Sequence, residues 1–411
     1  MNKRICIIRH GYYPEDPRVR KEVSVLVEKG YEVDVICLKN KEGRGEPVCS
    51  PNLKNGVNVY CIPLRHHRGS IFWYMFEYSL AFVFFFFKIS FLYLKKKYSL
   101  IQVNTMPDFL VFATIIPKLG GAKILLDMHE VMPELLDSKF NISEKHLLAK
   151  LLKLLEHLST KYADHILAVS EPCLKLLVSR GLPSSKATIV YNVPDDNLFN
   201  FQKITTKSVV AGLQTRIKRF TLISHGSVLK RYGFQTIIRA MPYLKPHIPG
   251  IRLIIMGEGE YLQELVKLVK NLGVQDSVDF IGRVPLDEVP YIIACADIGI
   301  VSFVKDEFTN LMTPNKLFEY VAMRRPVVSA KTDGIQSCFD DSCMMFFNPG
   351  DEKELANCIL KLYKDPAKRE QLVENSYLKY QKIRWNVTKE RYFEVMQELL
   401  KSEARSPKSE Y

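Results

Sequence analysis

Three glycine-containing loops could bring the main chain close to an anionic ligand. Each follows a short apolar run typical of a buried strand, and they contain His225, Gly226 and Ser227; Gly257, Glu258 and Gly259; and Gly282 and Arg283. Glycine has no side chain to keep a diphosphate from the backbone, and the start of a following helix adds a positive field. One such loop is more often a plain turn, but three at one predicted sheet edge favour an anion site.

A histidine occupies a similar position in the first half of the chain. His129 follows the predicted strand 123–127, within the sequence Asp127-Met128-His129-Glu130. An imidazole titrates near neutral pH, so at a strand end it could hydrogen-bond a ligand or carry a proton. The alternative is a packing histidine whose hydrogen bonds are satisfied inside the protein.

Two common kinds of site are not indicated. A nicotinamide-binding fingerprint needs G-x-G-x-x-G after the first strand, where this chain has only Gly11, followed by Tyr12 and Tyr13. The nine cysteines include no C-x-x-C pair and no histidine-spaced quartet, so neither a zinc site nor a disulfide framework is predicted.

The elements that must position these residues follow a repeated strand and helix pattern. Strands are predicted at 5–8, 32–38, 100–104, 123–127 and 165–169, and then at 221–225, 252–256, 278–281, 298–301 and 326–329. Helical patterns between them are typical of parallel sheets. We therefore predict an α/β fold of two doubly wound, Rossmann-like domains facing a cleft, with ligands at the carboxyl ends of the strands.

The length of the chain agrees with two domains, because 411 residues are too many for one ordinary core. We place an N-terminal domain at 1–200, a polar linker at 201–220, a second domain at 221–384 and a C-terminal segment at 385–411.

Positive charge is concentrated in one stretch. The net charge is +13, and residues 39–100 alone carry ten basic and three acidic side chains, an excess of seven. This excess predicts an anionic partner. The stretch has no helix-turn-helix pattern, no Cys/His finger and no aromatic RNA-binding signature, so a membrane surface fits better than nucleic acid.

The segment 71–94 is the candidate for membrane contact. It is aromatic and apolar apart from Glu77 and Lys88, and three lysines follow it. It could span a bilayer, pack as a helix in the domain core, or lie at the lipid headgroups, and the sequence leaves all three open. If it is interfacial, the residues expected to face the membrane are Trp73, Phe84, Phe85, Lys95, Lys96 and Lys97.

The expected location is the cytoplasm, at the inner face of the cell membrane. The first apolar run is interrupted by Arg9 and His10, which makes it too short for a signal-peptide core.

A set of motifs extends over nearly the whole chain. The first half contains RHGYYPEDPRVRKE (9–22), NTMPDFLV (104–111), LDMHEVMPEL (126–135) and IVYNVPDDNLF (189–199). The second half contains HGS (225–227), RYG (231–233), IIMGEGE (254–260), VDFIGRVP (278–285) and TPNKLFEYVAMRRPVV (313–328). Individually these motifs are weak, but in this order they resemble the retaining glycosyltransferases of family 4, which have the two-domain GT-B architecture.

The resemblance implies a donor site in the second half. Glu319 matches a family glutamate that accepts hydrogen bonds from the donor ribose, and with His129 it is the expected catalytic residue. The earlier glutamate of the family's pair is replaced by Leu311, so Asn310 or the nearby backbone is expected to contact the transferred sugar.

The same resemblance implies cations for the diphosphate. Many relatives have arginine and lysine where this chain has Ser227 and Tyr232, so Arg231 and Lys316 are expected to take their place. The residues predicted to bind the donor are Gly11, Gly226, Ser227, Arg231, Gly257, Glu258, Arg283, Asn310, Lys316 and Glu319. No cofactor and no metal are expected, since the chain has only the adjacent pairs Asp195-Asp196 and Asp340-Asp341 and no D-x-D.

On the acceptor side, His129 matches a family histidine near the reacting carbon. The other side chains expected there are Asp16, Arg18, Asp108 and Glu130. The C-terminal helix within 385–411 is expected to cross back to the first domain, as in the family.

The implied function is the transfer of a sugar, with retention, from a UDP- or GDP-linked donor. The implied acceptor is a lipid-linked saccharide of a bacterial envelope, capsule or exopolysaccharide. A sugar-nucleotide epimerase of the same architecture remains an alternative. The departures at Ser227, Tyr232 and Leu311 leave a non-catalytic binding protein open as well.

Overall fold

The chain divides into two compact units. The computed structural model describes residues 3–13, 15–39, 56–64, 71–140, 146–204 and 219–404. The first unit consists of Met1–Tyr191 with Thr388–Tyr411, and the second unit consists of Asn192–Val387. Each unit is built on one parallel β-sheet.

The first unit has a seven-stranded sheet. Its strands are β1 (Arg4–Arg9), β2 (Glu32–Leu38), β3 (Val57–Ile62), β4 (Leu100–Asn104), β5 (Lys123–Met128), β6 (His165–Ala168) and β7 (Ala187–Ile189). Their order across the sheet is β3-β2-β1-β4-β5-β6-β7, and neighbouring strands are parallel. All five residues of β4 are buried, as expected for a parallel strand covered on both faces.

Helices connect these strands. They are α1 (Pro17–Glu28), α2 (Ile71–Lys96), α3 (Ile115–Leu119), α4 (Met132–Phe140), α5 (Leu147–Tyr162) and α6 (Glu171–Ser179), with 3₁₀ turns at Asp108–Thr114 and Ser184–Lys186. Helix α1 begins at Pro17 because the Asp16 carboxylate accepts hydrogen bonds from the backbone of Arg18 and Val19.

The second unit has a six-stranded parallel sheet in the order β10-β9-β8-β11-β12-β13. Its strands are β8 (Thr221–His225), β9 (Arg252–Met256), β10 (Val278–Gly282), β11 (Ile298–Val301), β12 (Val327–Ala330) and β13 (Met345–Phe347). Its helices are α7 (Phe234–Leu244), α8 (Leu262–Asn271), α9 (Val289–Ala294), α10 (Glu307–Leu311), α11 (Asn315–Ala322), α12 (Asp333–Gln336), α13 (Glu352–Lys364) and α14 (Pro366–Gln381), with 3₁₀ turns at Phe201–Lys203 and Lys230–Tyr232. The last helix, α15 (Trp385–Ala404), belongs to the first unit from Thr388 onward.

The division into units differs from the predicted bounds at residues 192–200, which the sequence analysis grouped with the first domain. Asp196 accepts a hydrogen bond from the backbone of Asn386 at 2.8 Å and another from the Tyr380 hydroxyl at 3.4 Å. These contacts join the segment to the second unit. Residues 205–218 of the predicted linker lie outside the described residues.

Helix α2 has a buried face and an exposed face. Tyr74, Tyr78, Phe85 and Ile89 recur on the buried side. The exposed side carries Trp73, Phe76, Leu80, Val83, Phe84, Phe87, Phe91 and Leu94. The stretch Trp73–Lys96 is long and apolar enough to cross a bilayer. Its most apolar part has a mean hydropathy of 1.6, but 39% of that part is buried inside the protein. Length and composition alone are therefore weak evidence for a spanning helix.

Two residues expected to face a membrane lie against the protein instead. Phe85 is 0% exposed and belongs to the core of the first unit. Lys96 is partly exposed, but its Nζ atom lies 2.7 Å from an Asp34 carboxylate oxygen, so its charge is paired within the protein. Trp73, Phe84, Lys95 and Lys97 are at least partly exposed, and their contact with a membrane remains a prediction.

The cysteines are mostly isolated. Seven of the described cysteines are free thiols, and five of these are buried. Cys61 is disulfide-bonded. The sequence had not indicated this cross-link.

Candidate functional site

The three glycine loops lie side by side at the carboxyl edge of the second sheet. The backbone N–H of Gly226 donates to the carbonyl of Met256 at 2.9 Å, and that of Gly257 donates to Gly282 at 2.8 Å. Gly257 has a φ of +139°, and a Cβ atom there would lie 2.0 Å from the Gly226 carbonyl oxygen. Only glycine allows this approach, so the sequence of the loops fixes how closely they pack.

Lys316 places a buried amine next to this edge. Its side chain belongs to α11, and a Cβ atom built on Gly226 would lie 3.9 Å from its Nζ atom. Within the described residues Nζ has no hydrogen-bond partner, and it lies 4.9 Å from the centroid of the Phe234 ring. Burial lowers the pKa of Lys316 to about 7, although the nearby Glu319 acts in the opposite direction. An anionic partner is expected to stabilise the charged form of an amine in such a position.

Arg231 approaches from the loop after β8. It lies in the 3₁₀ turn before Gly233, where a φ of +72° and close contact with the carbonyl oxygen of Ser302 require glycine. Its Nε atom is buried without a hydrogen bond inside the described structure. The guanidinium of Arg231 and the amine of Lys316 lie 5.6 and 5.8 Å from the same Tyr232 ring centroid. Two cations with unused donors thus lie near the same Tyr232 ring, and one of them, Lys316, also lies beside Gly226.

Glu319 lies one turn after Lys316 on α11. It is 9% exposed, and its Oε2 atom is 3.0 Å from Nε2 of His225, which is 8% exposed. The two atoms are close, but their alignment is not that of a hydrogen bond. Oε2 therefore keeps an unused lone pair, which could accept a hydrogen bond from a hydroxyl group of a ligand.

The other predicted donor residues differ in their availability. Ser227, Glu258 and Arg283 are at least partly exposed. The amide of Asn310 donates to Asp333 Oδ2 at 2.7 Å and accepts from the Asp333 backbone at 3.1 Å. Both ends of this amide are occupied, which is evidence against Asn310 as the substitute for a sugar-binding carboxylate.

In the first unit, His129 directly follows β5. Its backbone N–H donates to the Thr105 hydroxyl at 3.0 Å, and its Nε2 atom lies 3.2 Å from an oxygen of Asp127. Burial, assisted by the positive charges of Arg18 and Arg9, holds the pKa of His129 well below its usual range. The imidazole is therefore neutral near pH 7 and can accept a proton or a hydrogen bond.

The sequence analysis expected Arg18 on the acceptor side, but the structure places it in the interior of the first unit. It is 4% exposed and forms ion pairs with Asp127 and with Glu22, the latter at 3.2 Å. Burial raises the pKa of Glu22 to about 8, with the Asp127 charge adding to the effect. Arg18 therefore supports the carboxylate beside His129 and is not available to an acceptor.

This buried network extends further than the motifs suggested. The Gln102 amide donates to Glu22 at 2.8 Å, and the Tyr392 hydroxyl donates to Gln102 at 2.7 Å. Sequence reasoning missed both partners. The available signal was the polar pair Gln102 and Asn104 inside the short buried strand β4, because a buried polar side chain needs a partner.

The sequence analysis also placed Asp108 on the acceptor side, but the structure buries it in the first unit. It is 1% exposed, and neither carboxylate oxygen has a hydrogen-bond partner among the described residues. Burial raises the pKa of Asp108 well above its usual range, and the charges of Glu156 and Glu134 raise it further. A buried, protonated carboxyl group cannot reach a saccharide.

The remaining first-unit residues have local roles or partial exposure. Asp16 caps α1 and lies 3.0 Å from the guanidinium of Arg9. The carbonyl of Gly11 accepts from Leu38 at 2.8 Å. Glu130 is partly exposed. Over the described ranges, no group of three or more His, Cys, Asp or Glu side chains is arranged to hold a metal ion.

The sequence matches two protein-family models that between them cover most of both units. The model described as Glycosyltransferase Family 4 matches residues 18–198, and the model described as Glycosyl transferases group 1 matches residues 219–365.

Two curated proteins show partial similarity. The lipopolysaccharide core biosynthesis glycosyltransferase LpsE of Rhizobium meliloti (strain 1021) is 29% identical over 168 residues, which are 41% of this chain and 46% of that protein. A GDP-mannose-dependent alpha-(1-6)-phosphatidylinositol monomannoside mannosyltransferase of Mycobacterium tuberculosis (strain CDC 1551 / Oshkosh) is 37% identical over 81 residues, 20% of this chain and 21% of that protein. The chain thus matches less than half the length of either relative.

Similarity of fold extends much further. The crystal structure of Anabaena Alr3699/HepE in complex with UDP-glucose superposes with a TM-score of 0.73 and covers 96% of this chain and 99% of its own. The two sequences are 17% identical, so this likeness concerns the fold.

Proposed function

The chain belongs to the family 4 glycosyltransferases of GT-B architecture, and we propose that it transfers a sugar from a nucleoside-diphosphate donor to a saccharide with retention at the anomeric carbon. The observation that carries the proposal is a pair of buried, unpartnered donor atoms near the Tyr232 ring: Nζ of Lys316, which lies beside Gly226, and Nε of Arg231. Burying cationic groups without a partner is costly, and a diphosphate would satisfy both.

The proposed chemistry relies on charge placed where the leaving group forms. As the glycosidic bond breaks, negative charge increases on the diphosphate, and Lys316 and Arg231 stabilise this charge. These two cations take the role that a divalent metal plays elsewhere, so the proposed reaction needs no metal and no cofactor. Glu319 binds the donor ribose through its unused oxygen. The donor is UDP- or GDP-linked, as in the ligand of the Anabaena structure and the name of the mycobacterial relative.

In the first unit, neutral His129 is proposed to hydrogen-bond the transferred sugar or the acceptor hydroxyl. Asp127 holds its imidazole at 3.2 Å, and Arg18 in turn holds Asp127. The leaving diphosphate assists in deprotonating the acceptor on the same face. A separate base is then unnecessary.

The proposed acceptor is a lipid-linked saccharide, met at the cytoplasmic face of the membrane. The support is the exposed side of α2, where Trp73 is 57% and Phe87 66% exposed, followed by the cations Lys95 and Lys97. Apolar area next to lysines is the combination that binds anionic membranes. The two curated relatives are named for lipopolysaccharide and phosphatidylinositol-mannoside synthesis, which agrees with an envelope polysaccharide.

A binding experiment followed by a transfer assay tests the proposal. Calorimetry with UDP-glucose and GDP-mannose should detect saturable binding of one donor, and Arg231→Gln should weaken it about tenfold or more through loss of a charged hydrogen bond. Arg239→Gln removes a similar charge from the exposed side of α7 and should bind the donor normally.

Transfer is then measured with polyprenyl-diphosphate-linked saccharides in the presence of a chelator. We expect a product whose anomeric configuration matches that of the donor sugar. Conversion of the donor to an epimer without an acceptor would replace the transferase by an epimerase, and no affinity for any nucleotide sugar would favour a non-catalytic protein.

A further inference from the structure

The second unit contains a cavity that the proposed transfer does not use. It has a volume of about 790 Å³, within the range of small-molecule sites. Its walls come from the 3₁₀ turn Phe201–Lys203 and the residues before it, from the end of α11, and from one face of α14 with the segment that follows. We call it the arginine pocket, after Arg324, Arg325 and Arg384.

The arginine pocket lies at the opposite edge of the sheet from the donor loops. Arg325 precedes β12, and its guanidinium donates to the carbonyl of Ala296, just before β11, at 3.1 Å. Both contacts are at the amino ends of the strands. Lys316 and Glu319 lie in the first part of α11, whereas Ala322, which lines the pocket, ends that helix. The two sites are therefore separate.

Positive charge in the pocket is only partly compensated. Arg324 pairs with Glu374 and lies over the Tyr377 ring, 3.6 Å from its centroid. The hydrogen bonds of Arg325 go to carbonyl groups. The guanidinium of Arg384 forms no hydrogen bond or ion pair with the described residues. Of the carboxylates, Asp196 is already bonded to Asn386 and Tyr380. Arg384 is therefore the cation free to bind an anionic group.

Several polar side chains in the same wall have unused hydrogen-bonding capacity. No side-chain hydrogen bond or ion pair to another described residue involves Asn197, Gln202, Glu370 or Asn386. Phe201 stands among them with 43% of its surface exposed, and the Arg325 guanidinium lies 5.3 Å from its ring centroid. An aromatic face surrounded by free amides, a carboxylate and a cation is suited to a polyhydroxylated ring that also bears a negative charge.

We propose that the arginine pocket binds a pyranose carrying one anionic substituent, either a carboxylate or a phosphate. The C–H face of the sugar packs on Phe201, whose ring face is electron-rich. The hydroxyl groups bond to the free amides and to Glu370, and the anionic substituent pairs with Arg384 in the forked geometry that guanidinium offers. The inference does not depend on the transferase activity, because it uses none of the donor-site residues.

Calorimetry on the full chain tests the proposal with glucuronate and glucose 6-phosphate as probes. At least one should bind saturably, and comparing the two identifies carboxylate or phosphate as the preferred substituent. Arg384→Gln should weaken binding about tenfold or more, since it removes a charged hydrogen bond. Lys382→Gln is the matched control: it removes an exposed charge two residues away, outside the lining, and should leave binding unchanged.

Other outcomes overturn the proposal. Absence of binding by both probes would do so, as would equal binding by the wild type and Arg384→Gln. Equal affinity for neutral glucose would remove the anionic requirement, and equal affinity for inorganic phosphate would reduce the pocket to an anion site. Displacement of the probe by a nucleotide-sugar donor would assign the probe to the donor loops. Normal donor binding by Arg384→Gln keeps this test separate from that of the transferase.

Discussion

Nε2 of His225 lies 3.0 Å from Oε2 of Glu319, and both residues are more than nine-tenths buried. His225 ends β8 immediately before Gly226, and Glu319 belongs to α11, so the contact joins the first donor loop to the helix that carries Lys316. The ring of Tyr320 packs edge-on against His225, with centroids 5.1 Å apart, and fixes its orientation. The carboxylate thus has a defined position before any donor binds.

Replacing Glu319 by glutamine should weaken donor binding without unfolding the second unit. The variant keeps the shape of the side chain but loses the charge that strengthens a hydrogen bond to a ribose hydroxyl. We expect the dissociation constant to rise about tenfold to a hundredfold, measured by calorimetry, with an unchanged melting temperature. Glu264→Gln, an exposed change on α8, is the control. Donor affinity equal to that of the wild type would remove Glu319 from the site.

Donor affinity should fall as the pH rises through about 7, the pKa to which burial lowers Lys316. Above this pH the free protein carries a neutral amine, so binding a diphosphate must be accompanied by proton uptake. Affinity should then decrease up to about tenfold per pH unit. Calorimetry in buffers of different ionisation enthalpy measures this uptake, and its absence at pH 8 would contradict the assignment.

Lys316→Met separates binding from stability. The folded pKa of about 7 is below the ordinary value for lysine, so the unfolded chain binds more protons between these values. This lysine therefore makes the free energy of unfolding rise with pH over that range. It lowers the free energy of unfolding most below pH 7. The variant should be more stable than the wild type at pH 6 and should bind the donor weakly. Lys270→Met, which changes an exposed residue, should alter neither property.

The sequence predicted the strands well because buried parallel strands are nearly continuous apolar runs. Strands β2, β4, β8, β9 and β11 have the predicted bounds. The short strands β7 and β13 and the half-buried strand β3 were missed, since their patterns are less distinct. The meeting of the glycine loops at one edge followed from the parallel pattern, whereas the order of the strands was not predicted.

Side-chain partners were harder to predict, because they depend on residues far apart in sequence. Arg18 and Asp127 are 109 positions apart, and no local pattern relates them. In the folded protein Arg18 is buried in its ion pair with Asp127, although the sequence suggested that it was available to a ligand. Similarly, Phe84 and Phe85 are neighbours in an aromatic run, but one residue advances a helix by about 100 degrees, which is enough to move a side chain from the surface into the core.

Asp108→Asn should stabilise the first unit at alkaline pH. Since burial raises the pKa of Asp108 above its value in the unfolded chain, the wild type loses stability as the pH rises from about 4 toward the folded pKa. The loss is about 1.4 kcal/mol for each pH unit over which the carboxyl group is protonated only in the folded protein. Asparagine is neutral in both states and removes this dependence.

Urea unfolding of the first unit at pH 5 and pH 8 measures the difference. At the higher pH, the free energy of unfolding of Asp108→Asn should increase relative to that of the wild type. Glu28→Gln changes an exposed residue and should show the same free energy of unfolding as the wild type at both pH values. An identical pH dependence for Asp108→Asn and the wild type would contradict the buried acid.

Alanine at two adjacent positions of α2 should separate folding from membrane binding. Phe85 is 0% and Phe84 40% exposed. Phe85→Ala should cost about 3–5 kcal/mol of unfolding free energy, because it opens a cavity in the core. Phe84→Ala should change stability by less than about 0.5 kcal/mol. It should nevertheless lower binding to anionic vesicles about tenfold, since a phenylalanine contributes roughly 1.5–3 kcal/mol when it leaves water.

Cosedimentation with vesicles that contain or lack anionic lipid measures the second effect, and urea unfolding measures the first. Lys95→Gln in the same assay should weaken binding only to the anionic vesicles, because its contribution is electrostatic and is screened by salt. If Phe84→Ala binds vesicles as tightly as the wild type, the exposed face of α2 is not the membrane-contacting surface. If Phe85→Ala weakens vesicle binding while leaving stability intact, the buried face is misassigned, and α2 must turn its other side to the lipid.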